Sequence, residues 1–242
     1  MSAEPIGVPS GGRAISRIFR VFVQPAEVFH ELAATPSWLA PLVALLLVSI
    51  AGQLVIAPRI DFDATIRQSL AERSGSRQLS DEQVEQAVNM GRKMAKVTSF
   101  ATPLMVPLMY LALAGIYFLG LKLLTSGCEF KSVFATLLHA VLPATVVSTL
   151  LLAVVSARHG SFAAQDLEGM LKSSVAAYLS PEAPKTVAAF ASVLDIFNLW
   201  QWVLLAMGLQ IVGKVSRDKA IALIAVLWLG WAAGKVGLAA LR

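Results

Sequence analysis

Long apolar stretches dominate the chain and recur five times, at residues 38–57, 100–124, 132–157, 186–213 and 220–241. Each is about as long as the ~20 residues that a helix needs to cross the ~30 Å of hydrocarbon in a bilayer. Helices of soluble domains keep a polar face toward water, which these stretches lack. The pattern therefore predicts an all-α protein, a polytopic membrane protein built as a bundle of five transmembrane helices within residues 38–241.

The N-terminal region before the first span divides into two parts. Residues 1–12 are rich in Gly, Pro and Ser and are predicted to be disordered. In residues 13–37, Arg13, Arg17 and Arg20 alternate with bulky apolar residues, and Trp38 follows at the start of the first span. This pattern predicts an interfacial amphipathic segment in the headgroup layer, anchored by Trp38. A helix packed against the end of the bundle is the alternative.

A polar connector of some forty residues separates the first two spans and contains one clear helix start. Ser80 followed by Asp, Glu and Gln83 matches a capping box, in which serine and glutamine side chains each bond the other's backbone amide. We expect the helix that begins there to continue into the second span.

Composition and charge restrict the function classes. Hydrophobic residues make up 57% of the chain and charged residues 14%, with a formal net charge of +5. The basic residues lie mainly in connectors and at span ends, so we expect the lipid bilayer and its anionic headgroups as partner, and no nucleic acid. The single Cys128 and three scattered histidines form no metal-ligand motif, and no phosphate loop or nucleophile motif is present. We therefore expect no metal, no cofactor and no enzymatic activity.

Polar residues inside the spans are the candidate site. Asp195 lies within the fourth predicted span, and an ionised carboxylate there costs about 2.5–3.5 kcal/mol, so it should face the protein interior or water. Asn198 shares its face, and Thr136 and His139 share a face of the third span. We predict an intramembrane polar cluster of these four residues. It acts either as a clamp between helices or as a proton or cation site.

Several prolines and glycines lie inside the predicted spans. Pro103 and Pro107 in the second span and Pro143 in the third predict kinks. Gly230 and Gly234 form a G-x-x-x-G pair that permits close helix approach, either inside the bundle or in a dimer.

Three stretches of the chain carry a family resemblance. They are Arg17-Ile-Phe-Arg through Pro25-Ala-Glu-Val-Phe to Trp38-Leu-Ala-Pro-Leu, then Phe134-Ala with His139-Ala-Val-Leu-Pro143, and Leu194-Asp-Ile-Phe-Asn-Leu-Trp200 with Gly208-Leu and Ser216-Arg-Asp-Lys-Ala220. Over about residues 14–240 the chain resembles the bacterial branch of the Yip (Ypt-interacting protein) domain family.

The resemblance implies a five-span helical membrane protein with a cytoplasmic N-terminus. Eukaryotic relatives are associated with Rab-type GTPases and vesicle traffic, and bacterial relatives mostly lack an assigned activity. This chain lacks the eukaryotic Asp-Leu-Tyr-Gly-Pro pattern. Charge counting alone leaves the orientation open, because the two shortest connectors are basic while the total of Lys and Arg is higher on the other side. We expect an inner-membrane protein with its C-terminus opposite the N-terminus.

Three hypotheses for function follow. The first is a non-enzymatic protein that scaffolds or organises membrane partners, lipids or further copies of itself. The second is a small transporter or an ion- or proton-coupled permeation protein, in which Asp195, Asn198 and His139 line a polar route and proline kinks assist it. The third, an intramembrane enzyme, has only one buried acid and one buried histidine in its favour.

Overall fold

The computed structural model describes residues 10–74, 80–125, 127–180 and 182–241, and for 10–11, 71–74, 95–104 and 168 it describes the backbone alone. These ranges contain ten α-helices and no strand. In chain order the helices are α1 Ser10–Arg20, α2 Pro25–Ala34, α3 Leu39–Ile56, α4 Phe62–Ser74, α5 Asp81–Leu124, α6 Phe130–Arg158, α7 Leu167–Met170, α8 Lys185–Val193, α9 Ile196–Gly213 and α10 Arg217–Ala240.

Five segments of the described chain are long and apolar enough to cross a membrane. They are Leu39–Arg59, Met105–Leu124, Phe130–Arg158, Ile196–Gly213 and Arg217–Ala240. Because lipid covers their outer faces, most of each apolar surface is left uncovered by the protein itself. The prediction of an all-α fold with five spans is confirmed.

The chain divides into two units by its internal contacts. The first unit contains the chain up to Leu45 together with Met109–Pro143 and Gln201–Ala225. The second contains Leu46–Leu108, Ala144–Trp200 and Val226–Arg242.

The core of the first unit is centred on the N-terminal half of α6, where residues 132–144 are all buried. Helix α9 approaches it closely at Gly208. A Cβ added there would lie 2.4 Å from Cγ2 of Thr136 and 3.1 Å from the ring of Phe29. Only glycine therefore lets α2, α6 and α9 pack at this distance.

The second unit contains the polar connector between the first two spans. The predicted capping box is confirmed: the Gln83 amide donates to Ser80 Oγ at 3.3 Å, and the Ser80 amide donates to Gln83 Oε1 at 3.1 Å. Arg92 Nε donates to Asp63 Oδ1 at 2.8 Å and joins α5 to α4. The Asp63 hydrogen bond from Arg92 lowers the pKa of that carboxyl. The described residues of this connector therefore include two helices, α4 and the start of α5, that are joined by an ion pair.

Two boundaries differ from those predicted. Residues 1–9 of the predicted disordered tail lie outside the described residues, but α1 already begins at Ser10, because its apolar and basic residues repeat at helical spacing. The predicted fourth span, 186–213, is not one helix. Helix α8 ends at Val193 and α9 begins at Ile196, so the span is interrupted at Leu194 and Asp195.

The prolines predicted to kink the spans and the glycines predicted to pack them differ in how far they are buried. Pro143 is buried inside the continuous helix α6, and Pro107 is half-buried in α5. The side chain of Pro103 lies outside the described residues. A Cβ added at Gly230 or Gly234 would meet no atom of the described chain within 4 Å, so neither glycine supports a close helix contact there.

Candidate functional site

Asp195 terminates the break between α8 and α9 and caps α9. Its Oδ1 accepts hydrogen bonds from the backbone amides of Phe197 at 2.9 Å and Asn198 at 3.2 Å, and its Oδ2 accepts one from Ser173 Oγ. These are the amides that a helix N-terminus leaves unpaired, and aspartate is among the residues that satisfy them best. The prediction that Asp195 lies well inside a continuous helix is therefore wrong, because its carboxylate starts the helix.

A short extended segment around Ser174 provides hydrogen-bond partners for the backbone groups that the helix break leaves unpaired. Ser174 and Asp195 form an isolated antiparallel bridge. The Val175 amide donates to the Leu194 carbonyl at 3.0 Å, and the Ile196 amide donates to the Ser173 carbonyl at 3.1 Å. Backbone amides and carbonyls that are not paired within a helix need such partners where they are removed from water. The connector between the third and fourth spans thus supports the break directly.

The break borders a cavity of about 370 Å³ that lies wholly in the second unit. Its polar wall includes a carboxylate, an ammonium group, an amide and several hydroxyls. The lining residues are Ser148, Leu167, Leu171, Ser173, Ser174, Ser192, Asp195, Phe197, Asn198, Trp231 and Lys235. Among the four residues predicted to cluster, the structure brings together Asp195 and Asn198.

Lys235 is the charged lining residue of this cavity that the sequence analysis did not select as a site residue. Its Nζ donates to Ser192 Oγ at 2.8 Å and lies 5.7 Å from the centre of the Trp231 ring. Near the C-terminal end of α10 the sequence suggests an ordinary end-of-span lysine. The sequence contained one signal for this residue. Asp195 and Lys235 lie the same number of residues from the link between α9 and α10, which corresponds to roughly 27 Å of helix rise on either side of the link.

Lys172, beside the cavity-lining residues Leu171 and Ser173, has a strained backbone. Its φ is 48°, in the left-handed region that side chains with a Cβ disfavour. Tyr178 Oη donates to its carbonyl at 3.2 Å. Such conformations persist where surrounding contacts impose them, and they cluster at functional sites.

Thr136 and His139 belong to the first unit and do not line this cavity. Both are fully buried. His139 Nδ1 lies 2.8 Å from the Ala135 carbonyl in its own helix, which makes Nδ1 the donor. Thr136 Oγ1 and His139 Nε2 have no hydrogen-bond partner among the described atoms. The predicted cluster of all four residues stays a prediction, because Asp195 and Asn198 belong to the second unit.

The N-terminal helices form a hairpin around one buried guanidinium. Arg17 Nε donates to Glu31 Oε2 at 2.7 Å, Nη1 donates to the Thr35 carbonyl at 2.8 Å and to Ser37 Oγ at 3.1 Å, and Nη2 donates to Thr35 Oγ1 at 2.8 Å. Arg17 is only 6% exposed. The Arg17 side chain is therefore turned into the hairpin, where Glu31 and the start of the α2–α3 connector satisfy its charge, and the interfacial position of the segment stays a prediction.

The other predicted interfacial residues lie nearer the surface. Arg20 bridges Glu27 at 2.8 Å and Glu31 at 2.6 Å. The hydrogen bond from Arg17, with a smaller contribution from Arg20, lowers the pKa of the Glu31 carboxyl. Arg13 is exposed, and the Trp38 ring lies 5.8 Å from that of Phe134.

One face of α1 is apolar and uncovered. Ile15, Phe19 and Val23 recur every four residues and are 57%, 69% and 76% exposed. Four-residue spacing places them in one stripe along the helix and the turn that follows it. Val21, on another face, is fully buried. The hairpin thus packs by one side and leaves a bulky apolar stripe on the other.

The described residues contain no group of three or more His, Cys, Asp or Glu side chains that could hold a metal ion. Comparison of the chain with curated proteins and with solved structures gives no significant match. The family model of the Yip1 domain matches residues 19–239, nearly the whole chain and all five spans. This protein therefore belongs to the Yip1 domain family.

Proposed function

We propose that this Yip1-family protein is a non-enzymatic organiser of the bacterial inner membrane. Its N-terminal hairpin inserts a shallow apolar wedge into one leaflet, and the spans hold partner proteins or lipids beside it. The observation that carries this proposal is the uncovered stripe of Ile15, Phe19 and Val23 on a hairpin whose two helices are joined by hydrogen bonds of Arg17.

The attachment of the hairpin supports lipid as the occupant of the stripe. Helix α2 ends at Ala34 and α3 begins at Leu39, so residues 35–38 alone join the hairpin to a spanning helix. Such a connector reaches at most about 14 Å. The hairpin therefore stays at the membrane surface, where a helix with bulky apolar residues on one face and Arg13 on another lies in the interface.

Spin labels on two neighbouring residues test the wedge. Ile15 and Arg13 lie about 160° apart around the helix, so one position should reach the acyl region and the other water. We would label Ile15→Cys and Arg13→Cys in a Cys128→Ser background and measure collisions with oxygen and with a water-soluble nickel chelate in proteoliposomes. We expect oxygen to dominate at 15 and nickel at 13. Equal nickel accessibility at both positions would refute the wedge.

The scaffolding part of the proposal needs its own test. We expect the protein purified in mild detergent to retain lipid or a membrane protein partner, detected by mass spectrometry. A solitary, monodisperse monomer that carries neither would contradict the organising role.

We further propose a cytoplasmic N-terminus and a C-terminus on the opposite side. Support comes from the odd number of spans and from the short basic links that contain Lys122 and Lys131, and Lys214, Arg217 and Lys219. Reporter fusions at each terminus test this. Cytoplasmic reporter activity at the C-terminus, or its absence at the N-terminus, would overturn the assignment.

Transport is the second candidate, favoured by the helix break at Leu194–Asp195 beside a polar cavity. Interrupted helices whose ends face a cavity are typical of transporter binding sites. Flux assays in proteoliposomes distinguish this role from organisation. Asp195→Asn keeps a helix cap but removes the charge, so a transporter using Asp195 should lose its flux. An unchanged flux would remove Asp195 from such a mechanism.

A further inference from the structure

Among the described side chains that line the cavity beside the helix break, one is acidic and one is basic. The Asp195 carboxylate accepts three hydrogen bonds, from two amides and a hydroxyl. Lys235 supplies an ammonium group, which lies against Ser192 Oγ. Both side chains line the same cavity.

Opposite charges in one cavity select among ligands. A ligand with a net negative charge would meet Asp195, and one with a net positive charge would meet Lys235. Like-charge contacts of this kind reject the wrong partner. A zwitterion can place each of its charges beside the opposite side chain, so it is the class that this pair of residues favours.

The position and size of the cavity narrow the class further. Asp195 immediately precedes a spanning helix and Lys235 lies near the end of another, so the cavity opens near one surface of the membrane. Its volume of about 370 Å³ is at the lower end of the range for small-molecule pockets. Outside the cavity lining, α9 and α10 have exposed apolar side chains, among them Ile196, Leu199 and Leu238. These features fit a headgroup whose acyl chains lie along the spans.

We propose that this cavity binds a zwitterionic ammonium–phosphate group, such as the headgroup of phosphatidylethanolamine. The Lys235 ammonium group donates to the phosphate, and the Asp195 carboxylate accepts from the ammonium of the ligand. The site shares no residue with the wedge on α1, so its test and that of the wedge can fail separately.

Native mass spectrometry of the full chain tests the proposal. The protein would be equilibrated in detergent with equal amounts of phosphatidylethanolamine and net-anionic phosphatidylglycerol. We expect the unmodified protein to prefer phosphatidylethanolamine. Lys235→Gln should reduce its retention by about tenfold or more, the effect of losing a hydrogen bond to a charged group. Asp195→Asn should shift the preference to phosphatidylglycerol, because Lys235 is then the one charged group among the described lining side chains.

Matched controls separate the site from charge in general. Asp218→Asn and Lys219→Gln make the same changes at exposed positions at the opposite end of α10, and both should bind lipid like the unmodified protein. Asparagine retains the cap of α9, so Asp195→Asn should also keep the gel-filtration volume of a folded protein. No preference in the unmodified protein, or identical preferences in all four variants, would overturn the proposal.

A competition experiment identifies the source of the bound group. Free phosphoethanolamine carries the same charges without acyl chains. If it displaces the lipid, the cavity recognises the headgroup alone and also accepts the soluble compound. If the lipid remains bound while the charge variants still lose it, the proposal holds with the lipid as the ligand.

Discussion

Replacing Arg17 with alanine should release the N-terminal hairpin. The guanidinium makes four hydrogen bonds, to Glu31, to the Thr35 carbonyl and hydroxyl, and to Ser37, and it is almost completely buried. Without it, Glu31 keeps one cationic partner, and the acceptors at the α2–α3 connector lose their donor. We therefore expect α1 to separate from α2 far more often than in the unmodified protein.

The size of this effect follows from burial. Removing one member of a buried, hydrogen-bonded ion pair costs about 3–5 kcal/mol. The Glu31 side chain is 35% exposed and can recover water, so we expect the lower end, about 3 kcal/mol, or roughly a hundredfold change in an equilibrium constant. Arg20 also binds Glu31, but its side chain is 32% exposed, so Arg20→Ala should cost about 1 kcal/mol or less.

Hydrogen exchange of the α1 amides, measured by mass spectrometry in nanodiscs, reports the local opening directly. We expect Arg17→Ala to lower protection by about a hundredfold, or to the unprotected limit, and Arg20→Ala by less than about tenfold. Arg17→Lys should fall between them, because an ammonium keeps the charge but lacks the planar fork of donors. Similar protection in the Arg17 and Arg20 alanine variants would show that the buried network does not hold the hairpin.

Three further predictions concern pH, packing and backbone strain. The pKa of Glu31 is lower in the folded protein than its ordinary value of 4.5, so the ionised carboxylate stabilises the hairpin above that pH and this contribution is lost as the pH falls through the lower folded value. The protection of the α1 amides from hydrogen exchange should therefore decrease below about pH 4.5. Glu31→Gln should remove this pH dependence. Gly208→Ala should destabilise the protein by about 1–3 kcal/mol in thermal unfolding, since its methyl group would collide with Thr136. Thr136→Ser, which deletes the colliding carbon, should recover part of that loss, and Gly234→Ala should be nearly neutral; equal effects at both glycines would contradict the packing argument. Lys214 has a φ of 50° directly after α9, so Lys214→Gly should raise stability by about 1 kcal/mol, and a lower melting temperature would contradict the assigned strain.

The spans could be predicted from the sequence because lipid demands apolar residues on nearly every face of a helix. The Ser80–Gln83 capping box was equally local, since both of its hydrogen bonds join residues three apart. The same requirement for apolar residues made the helix break at Asp195 difficult to predict from the sequence. Apolar residues continue on both sides of it, with neither proline nor glycine to mark the break, and only the capping preference of aspartate signalled a helix start.

The remaining features depend on tertiary contacts. Arg17 meets partners 14 to 20 positions away, so its sequence neighbours suggested a headgroup contact rather than a buried ion pair. Lys235 reaches Ser192 across 43 positions. No periodicity or motif pairs Arg17 with Glu31 or Lys235 with Ser192, so these contacts are visible only in the tertiary structure.

The abrupt start of α9 limits which bilayers suit this protein. With 18 residues and a rise of 1.5 Å per residue, α9 covers roughly 27 Å, slightly less than the ~30 Å of average hydrocarbon. An uncapped helix could lengthen by a turn, but the capping carboxylate and the paired backbone at its start prevent this one from growing. A thicker bilayer would draw these polar groups into the acyl region or force local thinning, each with an energetic penalty for every ångström of mismatch. Membrane thickness is therefore a physical variable to which this protein should respond.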